Sequence, residues 1–132
     1  MIVPLIKGLS LTLKHFFSKP ITIQYPEEKF ECYPGFRGLH RLRTNEDGRA
    51  KCVACQLCAT VCPSGCIHIE VVEDDELGRY AKRYEIDLAR CIFCGFCVEA
   101  CPVGAIVMTP KYELADYSRE AMQYDKGMLL RK

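Results

Sequence analysis

The first seventeen residues alternate apolar and polar positions with the period of a helix. At about 100° per residue the apolar side chains of residues 2–17 share one arc, and two lysines and a serine lie opposite. The arc consists of Ile2, Leu5, Ile6, Leu9, Leu13, Phe16 and Phe17. Pro4 suits a first helical turn, whereas Val3 and Leu11 interrupt the polar face. Because crossing a bilayer takes about 20 apolar residues, the pattern predicts a helix along a membrane surface, in a partner's groove, or on its own domain.

Residues 20–50 show little periodicity of either kind. Pro20, Pro26 and Pro34 punctuate the stretch, and glycines supply its turns. Only residues 21–25, ITIQY, alternate as a strand does. A structureless stretch of this length is unusual inside a compact domain. We therefore expect an extended strap that becomes ordered against other chains.

The alternation of a sheet returns further along the chain. Residues 66–72 and 79–87 predict two strands, and the acidic stretch between them, EDDELGR, predicts a solvated turn. In the tail, residues 111–132, we expect a short helix capped near Ser118 and a second turn near the end. The apolar positions of this tail predict a docking surface.

One segment of the sequence occurs twice. Residues 52–63, CVACQLCATVCP, are matched 39 positions later by residues 91–102, CIFCGFCVEACP. The correspondence continues as Pro63 with Pro102, Gly65 with Gly104, and Ile67 with Ile106. The repeat predicts two similar halves related by a pseudo-twofold axis.

Cysteine usage indicates the kind of scaffold and its compartment. Ten of the 132 residues are cysteine, close to the level of a stapled or metal-filled domain. The apolar leader is interrupted by Lys7, Lys14 and His15 and has no small-residue cleavage site, so we expect no signal peptide. In a reducing interior, clustered thiols bind metal rather than pair as disulfides.

The formal charge of +1 conceals an asymmetry. Residues 1–51 hold nine Lys or Arg against five Asp or Glu, and residues 52–132 hold nine against twelve. A basic leading segment serves nucleic acid, an anionic membrane surface or an acidic partner, unless its charges are simply solvated. The absence of an aromatic platform or helix-turn-helix pattern argues against nucleic acid.

The spacing of the cysteines distinguishes between metals. Structural zinc takes four ligands, commonly as two C-x-x-C pairs. Each run here is instead C-x2-C-x2-C-x3-C-P, the pattern of bacterial iron–sulfur segments, in which the fourth cysteine ligates the other cluster. We therefore expect two [4Fe–4S] clusters with crossed ligation. The first would be held by Cys52, Cys55, Cys58 and Cys101, and the second by Cys91, Cys94, Cys97 and Cys62.

Other candidate residues are assigned no chemistry. Cys66 aligns with Ala105 across the repeat, which predicts a small buried residue, and Cys32 lies in the strap outside any motif. His68 aligns with Val107 and is expected to be a strand residue. No phosphate loop, nucleophilic Cys–His pair or dinucleotide fingerprint is present in the sequence. With no catalytic residues assigned, the chemistry expected of this chain alone is one-electron transfer.

Together these features predict an α+β chain built on a bacterial 2[4Fe–4S] ferredoxin-like domain. We expect an amphipathic membrane-surface helix at residues 1–18 and an extended subunit-contact segment at 19–48. The ferredoxin-like domain follows at 49–109, and a C-terminal docking tail at 110–132. Because a free carrier needs only the repeat, the additions favour a fixed subunit of a larger assembly.

Several stretches of this chain resemble one known family. They are KPITIQYPEEK, FRGLHRL, GRAKCVACQLCATVCPSGCI, YEIDLARCIFCGFCVEACPVGAIVMT and YELADYSREAMQYDKGMLL. Together, from about Lys19 to Leu130, they resemble the two-cluster ferredoxin-like subunit I of respiratory complex I, the proton-pumping NADH:quinone oxidoreductase. The family's eight ligands match the eight cysteines assigned above. Arg37, Gly38 and His40 match its R-G-x-H stretch at subunit interfaces.

The resemblance implies a function and a setting. It implies a peripheral subunit on the cytoplasmic side of the bacterial inner membrane, contacting a membrane-arm subunit. Electrons would pass from the flavin-fed cluster chain through two clusters to a terminal cluster in a neighbouring subunit. NADH and quinone would be bound by partner chains. Two alternatives stay open: the equivalent subunit of a membrane-bound hydrogenase or formate hydrogenlyase, and a free 2[4Fe–4S] ferredoxin.

Overall fold

A computed structural model describes residues 2–75 and 78–131, which form two units, Met1–Glu31 and Cys32–Lys132. The first unit contains helix α1, Ile2–Phe16, which confirms the helix predicted from the apolar arc. All its residues are exposed, and Lys14 and His15 lie in its last turn, where positive charge favours the helix dipole. Within the described part of the chain, no helix is long and apolar enough to cross a membrane.

Residues 21–25 have the side-chain alternation of a strand but lie in the stretch predicted to be an extended strap. These residues adopt no strand conformation. A strand is stabilised by hydrogen bonds to a neighbouring strand, and the flanking Pro20 and Pro26 have no N–H group to donate to one. Alternation of side chains alone therefore does not make this segment a strand.

The second unit mixes short helices and strands, which confirms the α+β class. In chain order its elements are β1 His40–Leu42, α2 Leu57–Thr60, β2 Ile67–Asp74, β3 Gly78–Asp87, α3 Phe96–Glu99, β4 Ile106–Met108, a 3-10 turn Glu120–Met122, β5 Gln123–Tyr124 and α4 Lys126–Leu130. The antiparallel strands β1 and β4 form one sheet, and β2, β3 and β5 form another in that spatial order.

Strand β1 corrects the expectation that this part of the strap needs other chains for its order. Its register pairs His40 with Met108 and Leu42 with Ile106. The pairing continues outward, because the N–H of Gly38 donates to the carbonyl of Thr109 at 3.0 Å. A Cβ on Gly38 would lie 2.6 Å from that same carbonyl oxygen, so only glycine fits the close approach. The C-terminal part of the strap is therefore hydrogen-bonded to the strand that follows the second cysteine run.

Strands β2 and β3 form the predicted antiparallel hairpin, with a bulge between Glu70 and Val71. Part of the acidic turn that connects them, residues 76 and 77, lies outside the described residues. The inward side of β3 supplies Tyr84 and Ile86, both fully buried, to the core. Because side chains alternate along a strand, the same spacing leaves Arg83 and Glu85 to form an ion pair outside.

The tail packs on this unit through α4. Ser118, near which a helix cap was predicted, precedes the 3-10 turn, and its hydroxyl accepts from the N–H of Ala121 at 3.2 Å. Asp125 caps α4 in the same way, accepting from Met128 N–H at 2.7 Å. Leu129 is 1% exposed and belongs to the core cluster. One apolar position of the tail is therefore buried within the chain itself.

Candidate metal centres

Each cysteine run forms a tight loop that leads into a one-turn helix. Ala54 and Gln56 have left-handed φ angles of 52° and 65°, and their counterparts 39 positions later, Phe93 and Gly95, have 53° and 84°. Such backbone is uncommon away from glycine. It turns the N–H of Ala54 toward Cys52 Sγ, at 3.4 Å, and the N–H of Phe93 makes the same contact with its own first cysteine. Both loops thus curl their backbone donors around sulfur.

The fourth cysteine of each run lies in a second kind of cradle. Burial by itself would raise the pKa of Cys62 and of Cys101, but both pKa values are lowered overall. Backbone N–H groups of the residues that follow each cysteine donate to its sulfur: residues 64–66 for Cys62 and residues 103–106 for Cys101. The nitrogen of Ala105, for example, lies 3.2 Å from Cys101 Sγ. Because these donors stabilise the charged form, each cradle is suited to a thiolate.

The eight cysteines predicted as ligands line two cavities, four in each. The first cavity is lined by Cys52, Cys55, Cys58 and Cys101. The second cavity is lined by Cys62, Cys91, Cys94 and Cys97. They enclose similar spaces, about 330 and 310 Å³ including the solvent at their mouths. The sequence-predicted sets therefore coincide with the thiols that the fold brings together.

The donor chemistry of each cavity, four predicted ligand thiols among apolar walls, suits an iron–sulfur cluster. Among residues 2–75 and 78–131, no three His, Cys, Asp or Glu side chains converge as ligands of a single metal ion do. Burial raises the pKa of Cys97 to about 12 and also raises that of Cys58. Thiols of this kind ionise readily only beside compensating positive charge, which iron supplies. Apolar side chains such as Ile69 and Ile86 complete the walls.

Three residues that line or abut the cavities were missed by the sequence reasoning. The hydroxyl of Tyr84 lies 3.4 Å from Cys58 Sγ. His40, 2% exposed, lines the second cavity. Arg37 donates to the carbonyl of Cys94 and lies 3.9 Å from a carboxylate oxygen of Glu99. Two of the three, Arg37 and His40, belong to the R-G-x-H stretch, which the sequence analysis linked to subunit interfaces and not to the cavities.

The remaining cysteines and His68 are placed as follows. Cys66 is buried, as predicted, but its Sγ also lies 3.4 Å from Cys62 Sγ at the second cavity. Its counterpart Ala105 lines the first cavity. Cys32 Sγ donates to the carbonyl of Pro110 at 3.3 Å, away from both cavities. His68 is an exposed residue of strand β2, which confirms the prediction.

Comparison with known proteins gives a domain match and several similar proteins. A family profile described as 4Fe-4S dicluster domain matches residues 51–105. NADH-quinone oxidoreductase subunit I 2 of Geobacter metallireducens is 58% identical over 132 residues, covering 100% of both chains. The subunit I 1 protein of Geobacter sulfurreducens is also 58% identical, over 100% of this chain and 99% of its own. The subunit I protein of Methylococcus capsulatus is 48% identical over 95% of this chain and 73% of its own.

A solved structure shows the same likeness at the level of the fold. It is that of the membrane-bound sulfane sulfur reductase, described as an archaeal respiratory membrane complex. One of its chains matches 83% of this chain at 35% identity with a TM-score of 0.57, and this chain spans 55% of that chain's length. With identities of 48–58% over nearly the whole sequence, the chain belongs to the NADH-quinone oxidoreductase subunit I family.

Proposed function

We propose that this chain is the electron-transfer subunit of a proton-pumping NADH:quinone oxidoreductase, carrying two [4Fe–4S] clusters. The observation that carries the proposal is the meeting of the eight predicted ligand thiols, four in each of two apolar-walled cavities. Family membership and the match to a 4Fe-4S dicluster domain support it. No catalytic residue is assigned to this chain, so NADH oxidation and quinone reduction belong to partner chains.

The ligand assignment we propose is crossed between the two runs. Each cavity takes three cysteines from one run and the fourth cysteine, Cys101 or Cys62, from the other. Matching left-handed residues at the same interval in both loops support two halves related by a pseudo-twofold axis. Because neither half then has four thiols of its own, both sites form only when the whole domain folds.

In this proposal the protein positions the clusters, shields them from water and adjusts their reduction potentials. Bound at these thiols, the clusters supply one-electron redox chemistry. Helices α2 and α3 pack against each other and carry Cys58 and Cys97, which are close enough for their charges to interact. This is the point at which the two cavities approach. Cavity walls such as Ile106 exclude water, and backbone donors to sulfur stabilise the reduced charge state.

The setting we propose is the cytoplasmic face of the bacterial inner membrane. Helix α1 presents exposed apolar side chains, including Leu5, Leu9 and Leu13, and Lys7 and Lys14 lie opposite. A helix of this pattern binds an interface with its apolar face inward. The strap, α1 and tail would contact other subunits, among them the terminal-cluster subunit and a membrane-arm subunit. A solved relative in a respiratory membrane complex supports this placement.

Reciprocal cysteine variants test the crossed assignment. Cys101→Ala should disturb the cluster held by the run 52–58, and Cys62→Ala should disturb the cluster held by the run 91–97. The two clusters are followed by EPR of the reduced protein, and each variant is compared with Cys32→Ala, whose thiol lies outside both cavities. If Cys101→Ala instead lost only the cluster held by residues 91–97, the ligation would be uncrossed.

Native purification tests the assembly. A tag on this chain should recover a membrane-bound complex with NADH:quinone activity and many subunits. Purified material should contain about eight irons for this chain in addition to those of its partners. Recovery of the chain by itself in the soluble fraction, with clusters intact, would instead identify a free carrier. Co-purification with hydrogenase subunits would identify the related alternative.

A further inference from the structure

The imidazole of His40 is the least explained polar group of the second cavity. Its side chain is 2% exposed and lines the cavity beside Cys62, Cys91 and Cys97. Among the described residues, none provides a hydrogen-bond partner for its Nδ1 atom, which is fully buried. An unpaired buried polar atom costs about 1–3 kcal/mol. Buried polar atoms in folded proteins nearly always have a partner, and a bound group is one such partner.

The fold holds this ring in one orientation. Strand β1 fixes the backbone of His40 opposite Met108. The imidazole stacks on Phe93, with ring centres 5.6 Å apart and planes at 28°. Phe93 itself lies between Cys91 and Cys94, so the imidazole is packed against a side chain of the loop that presents two of the thiols. The ring therefore cannot turn to solvent without breaking this stack.

We propose that His40 is a positioning residue for the cluster of the second cavity, its N–H donating a hydrogen bond to a sulfur of that cluster or of its ligands. The inference rests on the proposed function. Hydrogen bonds to cluster sulfur stabilise the more negative, reduced state and so raise the reduction potential. Among the described residues that line the first cavity there is no histidine; Leu42, two positions along β1, lines it instead. The fold therefore gives the two clusters different surroundings from the same repeat.

Reduction potentials test the proposal in the full chain, reconstituted anaerobically with ferrous iron and sulfide. His40→Leu copies the residue that β1 presents to the first cavity. In His40→Leu, one of the two midpoint potentials should fall. At a fixed ambient potential, the ratio of reduced to oxidised cluster should drop about tenfold, which equals a fall of about 59 mV for one electron. His40→Asn retains an N–H near the position of Nδ1 and should restore part of the shift. His68→Leu, at an exposed histidine of β2, should change neither potential.

A second measurement does not depend on how the His40 variants fold. Pulsed EPR of the reduced wild-type chain labelled with 15N-histidine should show a nitrogen coupled to one cluster. The chain has three histidines, so the coupling should persist in His15→Gln and in His68→Leu. An absent coupling, or eight irons per chain with both potentials unmoved in His40→Leu, overturns the inference while the proposed function stands. Failure to bind about eight irons would overturn the proposed function itself.

Discussion

Replacing Tyr84 by phenylalanine should lower the potential of one cluster and leave the other unchanged. The hydroxyl of Tyr84 lies 3.4 Å from Cys58 Sγ, one of the four thiols of the first cavity. Burial, and then the neighbouring Cys58, raises the pKa of this phenol, so it remains a donor across the usable pH range. Phenylalanine fills the same volume in the core and removes only the donor. The substitution therefore isolates a single hydrogen bond to sulfur.

The size of the shift follows from the contact. A hydrogen bond to a charged group contributes about 1.5–3 kcal/mol, and only the part that strengthens on reduction changes the potential. The separation of 3.4 Å is an ordinary one for a hydroxyl that donates to the larger sulfur atom. Taking about 1 kcal/mol for the difference between the oxidised and reduced states gives a fall of ~40 mV for a one-electron couple. Because the phenol does not titrate, the fall should be independent of pH between 6 and about 9.

An EPR-monitored redox titration of Tyr84→Phe, beside wild type and Tyr117→Phe, measures this fall. Tyr117 is fully exposed and serves as the control for loss of a phenol hydroxyl. Cluster content should be unchanged, since no thiol is altered. An equal shift of both potentials would mean that the substitution acts through the whole domain. No shift at full cluster content would refute the reasoning that this hydroxyl tunes the cluster.

Three further predictions concern the packing that holds the site together, each read as the apparent melting temperature of the loaded chain by circular dichroism. Gly38→Ala should destabilise by about 1–3 kcal/mol, because its Cβ would lie 2.6 Å from the Thr109 carbonyl oxygen; a gain in stability would contradict this contact. Leu129→Ala should cost about 2–5 kcal/mol as a buried truncation, and a cost no larger than that of the exposed Met128→Ala would show that α4 is not docked. Asp125→Ala should cost about 1 kcal/mol through its lost cap, whereas Asp125→Asn, which also caps, should cost less.

Much of this protein can be read from local spacing. The C-x2-C-x2-C-x3-C-P runs predict the cofactor, because the spacing of cysteines in a short loop sets how far apart their thiols can lie. The apolar arc of residues 2–17 predicts α1, and alternation predicts the hairpin of β2 and β3. In each case the physical cause, helical period or strand pleat, acts between residues a few positions apart.

Only the tertiary structure decides which distant groups meet the thiols. His40 reaches the second cavity because β1 pairs with β4, whose residue opposite His40 is Met108, and no local pattern encodes a pairing between such distant residues. Tyr84 looks like any inward residue of a strand until the hairpin folds over Cys58. Residues 21–25 alternate like a strand yet form none for the same reason, since a strand also needs a pairing partner. The sequence by itself determines what the site binds, and long-range packing determines the surroundings that tune it.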